Sequence, residues 1–115
     1  APSLTYRDGT WYLAYSDPMC AYCGGTGTSY QTAPSPLGPW TLRGAISATS
    51  CNGQPAAINP LTIDGKPTWL FQSDLWNQLG PGQINPNQTN AVTQLEPLRF
   101  APDGSLEPLL CPSTY

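Results

Sequence analysis

Seven carboxylates, four cysteines and no histidine are the groups in this 115-residue chain that could do chemistry. Two carboxylates can share acid and base work when their surroundings keep one protonated and the other ionised. Asp8, Asp64 and Asp103 each stand directly before a glycine, where a short carboxylate caps its own turn, so they read as structural. Glu96 and Glu107 each precede a proline and are expected to face solvent. Asp17 and Asp74 remain. They close two similar stretches, TWYLAYSDP at 10–18 and TWLFQSDLW at 68–76, in which Tyr12, Leu13, Ser16 and Asp17 meet Trp69, Leu70, Ser73 and Asp74 at a constant offset of 57 residues. Taken as equivalents, the two aspartates belong to neighbouring units and do not face one another across a substrate. Their first expected role is to fix loops by hydrogen bonding, and their second is to touch a ligand.

The thiols admit three chemistries. A zinc site needs four thiolates in one compact cluster. Cys20-Ala21-Tyr22-Cys23 has the spacing of a redox motif, but no helix follows to lower a thiolate pKa. Disulfides suit an acidic chain without histidine and with only one lysine, which points to an oxidising, secreted setting. Four cysteines allow three pairings. The expected bridge runs from the Cys20/Cys23 loop to Cys51, leaving Cys111 to pair with the other loop cysteine or with a segment outside this chain. Asn87-Gln88-Thr89 is a triplet that can carry a glycan in the same setting.

The elements that position these groups are short. Fourteen prolines and eleven glycines argue against long helices, since proline removes a backbone donor and glycine raises the entropy cost of order. Each echoed stretch follows an Asp-Gly pair, Asp8-Gly9 and Asp64-Gly65, with an apolar run before it, APSLTY and QPAAINPLTI. That is a hairpin signal, because primed turns need positive φ. Third strands are predicted in TSYQTAPS at 28–35 and NAVTQLEPLRF at 90–100. Fourth strands are predicted in TLRGAI after the SPLGPW turn and in SLEPLL after APDG. The prediction is therefore all-β: two four-stranded antiparallel blades of a β-propeller, residues 1–50 and 51–115, at a period that fits such repeats. Trp11, Tyr12, Trp40, Trp69, Phe71 and Phe100 fall on strand candidates and are read as packing between blades. Trp76 and Tyr22, in the loops, are the aromatics placed to stack on a sugar.

Bulk properties exclude other classes. A net charge of −3 from seven acidic and four basic side chains cannot support a phosphate-tracking surface, so no nucleic acid is expected. No run approaches the roughly 18 apolar residues of a membrane span, and APSLTYRDG has neither the basic start nor the apolar stretch of a leader, so the chain reads as mature or as a piece. An apolar share of 39% is low for a chain that must close its core unaided. A blade has two apolar flanks and needs neighbours on both.

The segments APSLTYRDGTWYLAYSDP, TSYQTAPSPLGPW, CNGQPAAINPLTIDGKPTWLFQSDLWN and LRFAPDGSLEPLLC resemble the five-bladed propellers of glycoside hydrolase family 43, most specifically in the Ser-Pro-Leu-Gly-Pro-Trp turn. The resemblance covers nearly the whole chain but about two blades of five. It implies a carboxy-terminal part of a secreted enzyme that cuts arabinose-, xylose- or galactose-containing polysaccharide with inversion. Inversion needs an acid and a base roughly 6.5–9.5 Å apart. The resemblance places the acid directly before Ala1-Pro2 and the base in an earlier blade, both outside these residues. In the galactan-cleaving branch a glutamine is thought to hold the water, and Gln54 of Cys51-Asn52-Gly53-Gln54-Pro55 matches it. Gln54 can equally satisfy backbone groups at the channel mouth. Asp74-Leu75-Trp76-Asn77 resembles that branch's Asp-Arg-Trp segment, with Leu75 in place of the arginine. No cofactor and no metal are expected. The partners expected are a polysaccharide or oligosaccharide and the missing blades. A second reading is a lectin-like ring assembled from several two-blade chains.

Overall fold

A computed structural model describes residues 2–17, 25–80 and 83–112. Cys20, Tyr22 and Cys23 therefore lie outside the described residues. There is no helix among those described. The strands are β1 (Ser3–Arg7), β2 (Thr10–Asp17), β3 (Gly27–Ala33), β4 (Thr41–Ser47), β5 (Gly53–Ile63), β6 (Lys66–Leu75), β7 (Gln78–Gly80), β8 (Gln83–Ile84) and β9 (Val92–Pro97). Both predicted hairpins form. Arg7 faces Thr10 and Ile63 faces Lys66, so each turn has two central residues, all at positive φ: Asp8 (49°), Gly9 (83°), Asp64 (50°) and Gly65 (73°). This is the primed geometry that matches strand twist.

The first sheet has the predicted four antiparallel strands in the order β1-β2-β3-β4. The second departs from expectation. It has three strands in the order β5-β6-β9, and the predicted fourth strand is reduced to a single bridge, Phe100 to Leu106. Glu107 N–H still donates to the Arg99 carbonyl (2.9 Å), but Pro108 has no N–H to continue a ladder, and beyond it Leu109 N–H donates instead to Ile46 O of the first sheet (2.8 Å). The tail thus crosses from one sheet to the other. A small hairpin, β7-β8, adds structure within the expected long loop.

The sheets stack face to face, as neighbouring propeller blades do. Tyr12, Ala14, Tyr30 and Ile46 of the first meet Ile58 and Phe71 of the second, with Leu98 and Leu106 closing the core. Phe100 stands edge-on to Tyr12 (5.5 Å) and to Trp69 (5.7 Å). Near the inner strands, Ile58 N–H donates to Ser3 Oγ (2.8 Å). Trp11 does not join this core. It pairs with Tyr6 (5.2 Å) on the opposite face, because strand alternation separates it from Tyr12.

Both outer faces present exposed apolar side chains. Leu4 faces Leu13 and Tyr6 faces Trp11 across β1-β2, and Leu42 faces Gln31 across β3-β4; Leu4, Tyr6 and Leu42 are 47%, 52% and 66% exposed. On the second sheet Leu61 and Leu95 are 46% and 41% exposed. Contiguous apolar flanks of this kind mark surfaces that something else covers.

The register also corrects the echo that suggested the repeat. The hairpin turns recur at 56 residues, Asp8 to Asp64, whereas Asp17 and Asp74 lie 57 apart. A one-residue difference reverses the face on which a strand side chain stands. Tyr12 and Phe71 both point into the shared core, so the face carrying Trp11, Leu13 and Tyr15 corresponds to the one carrying Trp69, Phe71 and Ser73. Asp17 and Asp74 are not equivalents.

Candidate functional site

The rim opposite the Asp-Gly turns gathers the candidate residues. Across β5-β6, Gln54 faces Asp74 and Gly53 faces Leu75. Gly53 permits a close approach there: a Cβ would lie 2.0 Å from the Asp74 carbonyl oxygen, a distance no side chain tolerates. Thr26 N–H donates to Gly53 O (2.7 Å) and ties this edge to the first sheet, where Gly27 faces Asp17. Trp76 N–H donates to Asn52 O (3.3 Å). Asp17, Gln54, Asp74 and Trp76 therefore come to one end of the molecule.

Within that end they divide. Residues paired across an antiparallel ladder share a face, so Gln54 and Asp74 stand together on the outer face of the second sheet, and Asp17 stands on the outer face of the first. Asp17 Oδ2 accepts a short bond from Ser29 Oγ (2.7 Å). Among the described residues, Asp74 Oδ1 has long contacts only, from Gln72 Nε2 (3.4 Å) and Thr93 Oγ1 (3.5 Å). Asp17 is thus held tightly on its own strand pair, while Asp74 keeps accepting capacity beside an uncharged amide. Gln54 can give and accept a hydrogen bond at once, which is what orienting a water requires, but an amide cannot take up the water's proton as a carboxylate can.

Beneath the rim lies a layer of buried hydroxyls. Ser50 Oγ donates to Thr26 O (2.5 Å), so it accepts from Thr28 Oγ1 (2.6 Å). Thr26 Oγ1 and Ser73 Oγ are buried without a partner among the described residues.

The cysteine pairing differs from expectation. Cys51 bonds Cys111 (S–S 2.02 Å), so its sulfur is not available for the expected bridge to Cys20 or Cys23; the tail that crosses between sheets brings Cys111 to the linker carrying Cys51. Glu96 is a second correction. Expected at the surface, it is 3% exposed, facing Phe71 across β6-β9, and its carboxylate accepts Leu110 N–H (3.0 Å) and Cys111 N–H (3.2 Å). Its neighbour Leu95 points out instead, so simple hydropathy misplaces both. Cys51, Glu96 and Cys111 have ligand-type atoms within 4.8 Å of one another, but the sulfurs are spent on each other. Glu107 does lie at the surface, paired with Arg99 (2.6 Å).

No protein-family model matches the chain, and no curated protein does. Solved structures do. An exo-β-1,3-galactanase from Clostridium thermocellum is 24% identical with a TM-score of 0.68, over 92% of this chain and 22% of that one. A family 43 β-1,3-galactosidase solved with galactodeoxynojirimycin is 20% identical with a TM-score of 0.70, over 93% and 29%. An exo-β-1,3-galactanase from Phanerochaete chrysosporium, solved with β-1,3-galactotriose, is 18% identical with a TM-score of 0.64, over 96% and 23%. The chain spans less than a third of the length of these enzymes, and over that span its all-β fold is the fold of glycoside hydrolase family 43.

Proposed function

We propose that these residues are two adjacent blades, 1–50 and 51–115, of a secreted glycoside hydrolase-like propeller, five-bladed when complete, acting on arabinose-, xylose- or galactose-containing polysaccharide. The observation that carries this reading is the agreement between the fold match and two exposed apolar flanks, one on each outer face, where further blades would stack. The acid comes from a segment outside these residues. On the inverting course, Gln54 orients the attacking water, while Asp74, Trp76, Tyr22 and Asp17 line the sugar's path. The galactose-cutting enzymes among the matches favour a β-galactan. The test is hydrolysis of β-1,3-galacto-oligosaccharides by the complete protein. Gln54→Ala should lower turnover by about 100-fold or more, within the range of proton-transfer and positioning effects. Full activity in that variant removes the assignment.

Secretion is supported by the Cys51–Cys111 disulfide, a bond that persists in oxidising compartments. The glycan site also fits. Asn87 is exposed, and its Oδ1 accepts Thr89 N–H (3.0 Å) and Thr89 Oγ1 (2.6 Å), leaving Nδ2 without a partner among the described residues.

The lectin reading requires a copy's first flank to fit another copy's second. The first carries Tyr6, Trp11 and Tyr15, while the second carries Leu61, Leu70 and Leu95. Ring closure by three copies would be seen as a homotrimer, without hydrolysis.

A further inference from the structure

At the opposite end from the rim, two adjoining cavities of about 440 and 80 Å³ share Thr10, Tyr12, Asp103 and Gly104. Together they form one cleft between the first sheet and the loop after β9. Both walls belong to the described residues. The larger cavity is of the size that small ligands occupy.

Two of the chain's four cationic side chains mark its ends. Arg7 lies with its guanidinium over Phe100 (4.0 Å) and Trp69 (5.4 Å), its Nη1 is 3.5 Å from Asp8, and its Nε is buried without a partner among the described residues. Arg43, which lines the smaller cavity, donates from Nε to Thr32 Oγ1 (2.7 Å). Part of the acceptor capacity is taken up within the protein. Gly104 O takes the Tyr12 hydroxyl (2.6 Å), and Asp103 Oδ1 takes Ser105 N–H (2.9 Å) and Oγ (2.6 Å).

We propose that this cleft is a second carbohydrate site, selective for a sugar unit bearing one carboxylate, a hexuronate. Arg43 spends only its Nε on the protein, and the fork of a guanidinium matches a carboxylate. Asp8 and Asp103 at the edges repel a doubly charged anion such as phosphate but accept sugar hydroxyls, which favours a singly charged polyol. Strand β2 separates the cleft from the rim by roughly 20 Å at strand rise, so a polymer held here anchors without entering the rim. Naming a sugar as the ligand rests on the polysaccharide reading above; the anion preference does not.

The test is calorimetric titration of the purified protein with methyl glucuronide, methyl glucoside and inorganic phosphate, for wild type, Arg43→Ala and Arg43→Lys. Arg43 is exposed, so both variants are expected to fold. Methyl glucuronide should bind saturably and at least about tenfold more tightly than the neutral glycoside or phosphate. Arg43→Ala should weaken it about tenfold, the loss of one charged hydrogen-bonded contact, and Arg43→Lys less. Absence of binding by wild type, equal affinity for the neutral sugar, tighter phosphate binding, or unchanged affinity in Arg43→Ala each overturns the proposal. The two sites separate cleanly: Arg43→Ala should leave galactan hydrolysis unchanged, and Gln54→Ala should leave glucuronide binding unchanged.

Discussion

The two sheets solve the same problem of a terminal edge in different ways. The first completes itself: β4 pairs with β3 along its length, with register shifts that bend it. The second stops at three strands, and the chain that would have made a fourth goes instead to Ile46 of the first sheet and to the buried Glu96 carboxylate, locked by Cys51–Cys111. The first sheet therefore depends on local pairing, whereas the second depends on contacts distant in sequence. Loss of the clasp should loosen β9 and the tail while leaving β1 to β3 intact.

Phe71→Ala, at the contact between the sheets, should have the largest effect, about 3–5 kcal/mol for a buried aromatic, measured by urea unfolding; a smaller loss, confined to one sheet by hydrogen exchange, would mean that the sheets fold independently. The double substitution Cys51→Ser with Cys111→Ser releases a closed loop of 60 residues and should cost about 2–4 kcal/mol, with exchange protection lost first in the tail and β9. Glu96→Gln turns one of two acceptors into a donor facing backbone N–H groups and should cost about 1–3 kcal/mol. Glu107→Gln, breaking a half-exposed pair with Arg99, should cost less than about 1 kcal/mol; equal losses at the two glutamates would erase the distinction between clasp and surface.

Tyr12→Phe is the smallest change, about 1 kcal/mol for its bond to Gly104 O, and it carries a pH signature. Burial raises the Tyr12 phenol above 10.0, against the opposing pull of Arg7. A raised folded pKa favours the neutral phenol, so its stabilisation is complete below the unfolded value and fades as pH rises through the folded one. Tyr12→Phe should therefore flatten the alkaline fall in stability above pH 10. Bonds from the Ser105 hydroxyl and N–H lower the Asp103 pKa, which works in the opposite direction and at acid pH.

Much of this was legible where a local signal suffices. Asp8-Gly9 and Asp64-Gly65 announced their turns because few residues adopt positive φ at both positions, and Tyr12 and Phe71, aromatics on strand candidates, do pack between the two sheets. Gln54 and Asp74 could be assigned to one rim, but not to a shared face apart from Asp17, because the repeated letters run one residue out of step with the repeated structure. Glu96 was missed because its burial depends on a tail 14 residues further on, and the Cys51–Cys111 pairing because Pro108 diverts that tail across to another sheet. Trp11 and Tyr12 were both read as packing between blades; alternation puts them on opposite faces of β2, Tyr12 in the core between the two sheets and Trp11 on the outer flank beside Tyr6.

The central claim is that both outer flanks are covered by further blades in the working protein. Native mass spectrometry of the particle purified from its source tests it most directly. The account predicts these 115 residues together with roughly 150–200 more, enough for three further blades. A stable, well-ordered 12.3 kDa monomer with Leu4, Tyr6 and Leu42 open to solvent would contradict it.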